Sequence, residues 1–269
     1  MRRSGTLRAT ILSAGAFAMA GSPAARAAED ADEEPEQAVQ EVFLGELAFP
    51  QEARELQFSA ASSWVEGVDA RVFSPLLVAE WGITDRFQVE VEAPFIVSVP
   101  TEGDTGAGIG NAELGALYNF VRSSSLGLVV SGSVSGAAPT SSTDLIDSVY
   151  GAYAMMSAYK TMGPVHASLS VEGGMEVPSG GAEEDGDSRF VTEGALSLLF
   201  PMGSVVPVAE VGFEREEGTE LDVAAGFVWH ASRAVEVGLA GLMTRGEDDT
   251  EWGALVNLTW ERGFGVDRD

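Results

Sequence analysis

The chain has 269 residues, 42 acids against 15 lysines and arginines, a formal charge of −27 and no cysteine. Such a negative balance repels nucleic acid and anionic membrane surfaces, and without cysteine no disulfide scaffold can hold the fold together. After the N-terminal segment there is no run of eighteen apolar residues, which excludes a transmembrane helix.

The first residues, "MRRSGTLRATILSAGAFAMAGSPAARAAED", place Arg2, Arg3 and Arg8 before an apolar run and end it with Ala25-Arg26-Ala27. This is the pattern of a secretory signal, with cleavage expected after Ala27. Four of the arginines leave with it, so the mature charge becomes 11 − 42 = −31. Residues 28–42, "AEDADEEPEQAVQEV", are acidic and poor in bulky apolar side chains, and they read as a disordered leader. Residues 43–269 are assigned to one β-domain.

From there a single pattern repeats. In "ITDRFQVEVEAPFIV", Phe87, Val89 and Val91 point one way while Gln88, Glu90 and Glu92 point the other. This period of two marks a strand with one apolar and one polar face. Twelve strands are predicted, at about 53–65, 70–82, 86–97, 110–122, 126–138, 147–160, 165–177, 189–200, 204–214, 219–230, 234–244 and 250–263. The alternation recurs in "NAELGALYNF", in "VHASLSVEGGMEV", and in "EWGALVNLTWE", where Trp252, Val256 and Trp260 oppose Glu251, Asn257 and Glu261.

Short connections ("GITD", "RSSS", "TMGP", "PMG", "ASR") alternate with longer polar ones ("PTEGDTGAGIG", "APTSSTDL", "PSGGAEEDGDS", "RGEDDT"). That rotation is the habit of up-and-down barrels that cross the outer membrane, with short turns on the periplasmic side and long loops outside. The aromatics agree. Trp81, Phe87, Phe120, Tyr159, Phe200, Trp229 and Trp260 lie beside the short turns or the C-terminus; Phe95, Phe190, Phe213 and Trp252 lie near the long loops. Two such belts match the girdles at the two bilayer interfaces. The expected fold is therefore all-β, an up-and-down antiparallel transmembrane β-barrel of about 12 strands in the outer membrane of a Gram-negative bacterium. An even count lets the sheet close and removes the edge that lipid cannot hydrogen-bond. Pro75, Pro94 and Pro207 fall inside predicted strands and are expected to mark bulges or local strand ends.

"VAEWGITDRFQVEVEAPFIVSV" followed by "GIGNAELGALYNFV" resembles a family of bacterial outer-membrane barrels, the meta-pathway phenol-degradation proteins, also called outer-membrane transporters. The likeness covers Glu80 to Phe120, and "EWGALVNL" also looks like the C-terminal assembly signal of such barrels, though "GFGVDRD" follows it. The resemblance implies an outer-membrane channel or transporter and no catalytic residue.

If the apolar rows face lipid, the other parity faces the lumen. Glu90, Glu92, Glu113, Glu172, Glu193, Glu210 and Asp222 are the candidate pore-lining residues. Arg71, Lys160, Arg189 and Arg215 are the bases expected to share that parity. A carboxylate-lined pore concentrates cations and rejects anions, so the expected function is a small-solute channel that prefers cations. The expected partners are outer-membrane lipids and small solutes or cations, with no nucleic acid. The alternatives are a non-conducting barrel with a surface or structural role and an outer-membrane lipid hydrolase. For the hydrolase, His166 shares its face with Ser168 and Ser170, but no Gly-x-Ser-x-Gly elbow exists. No cofactor is expected, and "EEDGD" and "GEDDTE" lack the spacing of a calcium loop. "GAGIGN" reads as a glycine-rich loop with no helix to receive a phosphate.

Overall fold

The computed structural model describes residues 37–67, 70–179, 188–216, 218–246 and 250–263. The proposed signal and most of the acidic leader lie outside the described residues. Thirteen strands follow one another: β1 (Glu55–Glu66), β2 (Ala70–Thr84), β3 (Phe87–Pro100), β4 (Gly106–Ile109), β5 (Ala112–Ser123), β6 (Leu128–Ala138), β7 (Val149–Met162), β8 (Val165–Pro178), β9 (Arg189–Leu199), β10 (Val205–Arg215), β11 (Thr219–Ser232), β12 (Val235–Arg245) and β13 (Thr250–Gly263). All pairings are antiparallel and, apart from β3 with β5, join chain neighbours, and β1 closes the ring by pairing with β13 from Glu55↔Gly263 to Glu66↔Trp252. The short β4 and the longer β5 occupy one stave, both paired with β3 and interrupted at 110–111. The molecule is a closed barrel of twelve staves.

Alternation places the side chains as the pattern requires. On β8, Leu169 is 50% exposed on the outer face while Ser170 is 6% exposed on the inner one. The outward aromatics near the short turns include Phe58 stacked on Trp260, ring centroids 5.9 Å apart, which are direct cross-strand partners. Tyr159 departs from the expected belt. Its strand turns Tyr153, Met155, Ser157 and Tyr159 inward, and Tyr159 is fully buried inside the barrel at 0% exposure. Three of the four expected lumen bases also lie on the other face. Arg71 is exposed and pairs with Glu66 at 3.1 Å, Arg215 is exposed, and Lys160 reaches the carbonyl of Leu126. Arg189 alone among those four points inward.

Pro75, Pro94 and Pro207 do not end strands. Pro75 and Pro94 sit inside β2 and β3, beside a gap in the ladder between Phe73↔Val97 and Leu76↔Pro94. Pro207 pairs with Phe227, and its carbonyl accepts from the amide of Phe200 at 3.0 Å. The "GAGI" stretch is a strand rather than a loop, and residues 139–148 lie along it. Ser142 N donates to Ile109 O at 3.0 Å, and the Ser142 hydroxyl accepts from Ile109 N at 3.0 Å. A Cβ on Gly108 would stand 2.5 Å from Thr143 Cβ, so only glycine lets this segment seat.

The barrel's core is inside it, and it is made by the chain that precedes β1. Val39, Val42, Leu47 and Ala48 are buried against Val129, Tyr159, Leu199, Val206, Val208 and Val228, with Phe49 edge-on to Tyr159 at 4.8 Å. Leu44 packs higher, on Ala195, Ala224 and Leu242. Residues 37–42 therefore correct the expectation of a disordered leader for that part. Burial of these apolar side chains outweighs the polar composition that surrounds them.

Candidate functional site

Both ends of the inserted segment lie near the short turns. Ala38 N donates to the Tyr159 hydroxyl at 3.1 Å, and Gln40 N to Glu236 Oε2 at 2.8 Å. At the other end Gln51 N donates to Gln88 Oε1 at 2.7 Å, one residue above the start of β3. Between them the chain rises to mid-height. Phe43 N and Leu44 N donate to the two oxygens of Glu210, at 2.7 and 3.2 Å, and Glu46 N donates to Ser170 Oγ at 3.3 Å. It then descends past Asn119 and Ser131, both donating to Ala48 O. Residues 37–51 are a re-entrant loop that fills the short-turn half of the lumen. A loop without regular structure has no ladder for its amides, so the barrel wall supplies the acceptors.

Six of the seven candidate pore residues are buried on the inner face: Glu90, Glu92, Glu113, Glu172, Glu193 and Glu210. Asp222 is inward and half-buried, held by the Thr244 hydroxyl at 2.5 Å. Register brings several face to face: Glu92 opposite Glu113, Glu172 opposite Glu193, and Glu193 opposite Glu214. Like charges directly opposite destabilise a sheet, so these rows are not explained by strand pairing. Glu210 does not line open space: it is the anchor of the re-entrant loop and also accepts from Ser197 Oγ at 2.7 Å. Glu90 is held by Gln88 at 3.3 Å and Glu113 by the Ser135 hydroxyl.

On the inserted segment, outside the strands, the Glu46 carboxyl sits among those of Glu90, Glu80, Glu41 and Glu172. Burial first, and then their charges, hold its carboxyl well above the usual range. Glu41 is pushed up to about 7, chiefly by burial, against hydrogen bonds from Ser59 and Gln57 that lower it and the charge of Glu236 that raises it.

Among the described residues, the long-loop half keeps open space. A cavity of about 150 Å³ lies above the re-entrant loop, lined by residues of the wall and by Leu145, Ile146 and Asp147 of the loop that covers β4. Arg189 stands at its rim with Glu176, Glu216 and Asp147 at 2.6, 2.7 and 3.0 Å. The Tyr153 hydroxyl donates to Glu176 at 2.7 Å, and its ring lies flat on the wall because Gly174 has no side chain there; a Cβ would meet the ring at 2.1 Å.

The histidine–serine grouping does not assemble as a nucleophile and base. His166 Nδ1 meets the Tyr159 hydroxyl, and Ser168 Oγ donates to Glu46 O at 3.2 Å. His230 pairs with Glu236 at 2.9 Å. Sequence reasoning missed the re-entrant loop, Tyr159 and the Arg189 cluster. The signals were the apolar stretch "FLGELAF", which has no place in a strand, and the inward valines Val206 and Val208.

Fold and interior together define a monomer-closed, twelve-stave barrel of the outer-membrane class, with its lumen half filled by its own chain. No family model matches the chain, and no curated protein matches it, so the phenol-degradation family stays a resemblance. Among solved structures the chain is similar to an outer membrane channel from Pseudomonas putida F1, at 12% identity and a TM-score of 0.63, covering 82% of this chain and 99% of that one. It is also similar to the NanC porin (9% identity, 76% and 98% covered, TM-score 0.51) and to the beta domain of the Bordetella autotransporter BrkA (11%, 77% and 97%, 0.50). These likenesses establish the fold; at such identities they carry no residue roles.

Proposed function

We propose that this protein is a channel of the Gram-negative outer membrane that admits small solutes, prefers cations, and is narrowed on its periplasmic side by residues 37–51. The resemblance of Glu80–Phe120 to outer-membrane transporters supports the same class. The observation that carries the cation preference is the row of buried inward carboxylates Glu90, Glu92, Glu113, Glu172 and Glu193 with Arg189 confined to the long-loop rim. Carboxylates that ionise in such a lumen raise the local cation concentration through a field that salt screens.

The test is the reversal potential across a KCl gradient in a planar bilayer. The parent protein should be cation-selective, and the combined Glu90→Gln, Glu92→Gln and Glu172→Gln variant should move toward neutral, most at low salt. Glu210 is left intact because it anchors the loop. An unchanged reversal potential refutes the lining role. The filled short-turn half of the lumen favours one second reading, a non-conducting barrel, and the absence of any conductance in the parent protein would support it.

A further inference from the structure

The cavity above the re-entrant loop has a charge imbalance that the wall does not resolve. Seven carboxylates and one guanidinium are among the described residues that line it. Arg189 already meets three of them, Glu176, Glu216 and Asp147. Glu193 lies deeper. It is 6% exposed, and its Oε2 has no hydrogen-bond partner among the described residues. It faces the cavity between its cross-strand partners Glu172 and Glu214, with Glu92 and Glu113 also lining the space. A buried carboxylate oxygen without a donor is costly, and the missing donor is what a ligand would bring.

The rest of the wall narrows the choice of cation. Among the described residues no group of three or more acids or histidines is placed to hold a metal ion. Pro94, Leu145, Ile146, Val149 and Val191 give the cavity an apolar side instead. A volume of about 150 Å³ is that of an engineered protein cavity that binds benzene, so the space suits a body of roughly five or six heavy atoms. An ammonium head offers three donors and a full charge to Glu193, while a short alkyl body covers the apolar side.

We propose that the long-loop half of the lumen is a binding site for a small alkylammonium ion, with its head on Glu193 and its body against Ile146 and Val191. The site rests on the reading of the lumen as a cation path and names the class of cation it would take. The ligand enters from the long-loop side, because the other half is filled by residues 37–51.

Isothermal titration of the folded protein in detergent with n-butylammonium chloride tests the site. Saturable binding of one ion per barrel is expected, with none for butyrate or 1-butanol at the same concentration. Glu193→Gln should weaken binding by about tenfold or more, the loss of a charged hydrogen bond. Glu92→Gln should weaken it less, and Glu66→Gln, on the outer face, should leave it unchanged. Retained heat-modifiable migration in gels shows that each variant is folded. No saturable heat, or equal binding by the Glu193→Gln variant and the parent, overturns the site. Cation selectivity in the bilayer without butylammonium binding would overturn the site alone. Binding lost in Glu193→Gln beside a non-selective reversal potential would support the site and overturn the channel reading.

Discussion

Glu210 can be separated from the barrel wall that carries it, and Glu210→Ala is the most informative single change. The ladder of β10 to β9 and β11 is backbone and does not use the side chain. The carboxylate accepts from Phe43 N at 2.7 Å and Leu44 N at 3.2 Å, and both amides are enclosed when it is removed. An orphaned buried donor costs about 1–3 kcal/mol, so two cost roughly 2–6 kcal/mol against the inserted loop. At 1.4 kcal/mol per tenfold, release becomes at least about thirtyfold more frequent. Glu210→Gln keeps one acceptor oxygen but turns an NH₂ toward a backbone N–H, so it should fall between parent and Ala.

The assay is thiol labelling of Ala48→Cys, a small, fully buried position in a chain with no other cysteine. When reclosing is faster than reaction, labelling tracks the released fraction. The rate should rise by about thirtyfold or more in Glu210→Ala, and channel conductance should rise with it. Glu92→Ala, on the same inner wall and with no hydrogen bond from a described residue of the loop, should leave the rate near the parent's. A Glu210→Ala rate within threefold of the parent, roughly 0.6 kcal/mol, would show that the carboxylate does not hold the loop.

Three further outcomes are expected. Arg replacing Leu169 or Val171 on the outer face should cost roughly 2–4 kcal/mol of folding in lipid, whereas Arg replacing Ala137 at the inner cavity wall should cost far less; equal costs would overturn the assigned faces. Asp144→Cys, in the loop over β4, should react with an impermeant thiol reagent on intact cells and Ser125→Cys, in a short turn, should not; the reverse result would invert the topology. Labelling of Ala48→Cys, normalised to a free thiol, should rise with pH. Glu41 binds its proton more tightly in the inserted state, so its contribution to insertion is fully present below its ordinary value of 4.5 and lost as pH rises through about 7. A Glu41→Gln and Glu46→Gln pair should flatten that rise, and an unchanged slope would show that neither group is linked to insertion.

The staves could be read from the sequence because each is a local object. Alternation along "VHASLSVEGGMEV" or "EWGALVNLTWE" fixes which side chains share a face whatever the neighbouring strand is. The rotation of short and long connections then fixes an antiparallel order in which only chain neighbours pair. Closure by β1 and β13 follows, since an open edge is what such a sheet must avoid. The glutamates of the inner face were legible for the same reason. Tyr159 was assigned outward because aromatics beside short turns usually face lipid; the parity of its own strand, with Tyr153 and Met155 inward, overrides that habit. The role of Glu210, the seating of residues 139–148 on β4 and the re-entrant loop belong to tertiary structure alone. Gln40 reaches Glu261 across 221 residues and Ala38 reaches Tyr159 across 121. No period or spacing encodes such contacts. They form because "FLGELAF" has apolar surface to bury and the lumen offers inward valines and unused acceptors, a complementarity that exists only once the barrel has closed.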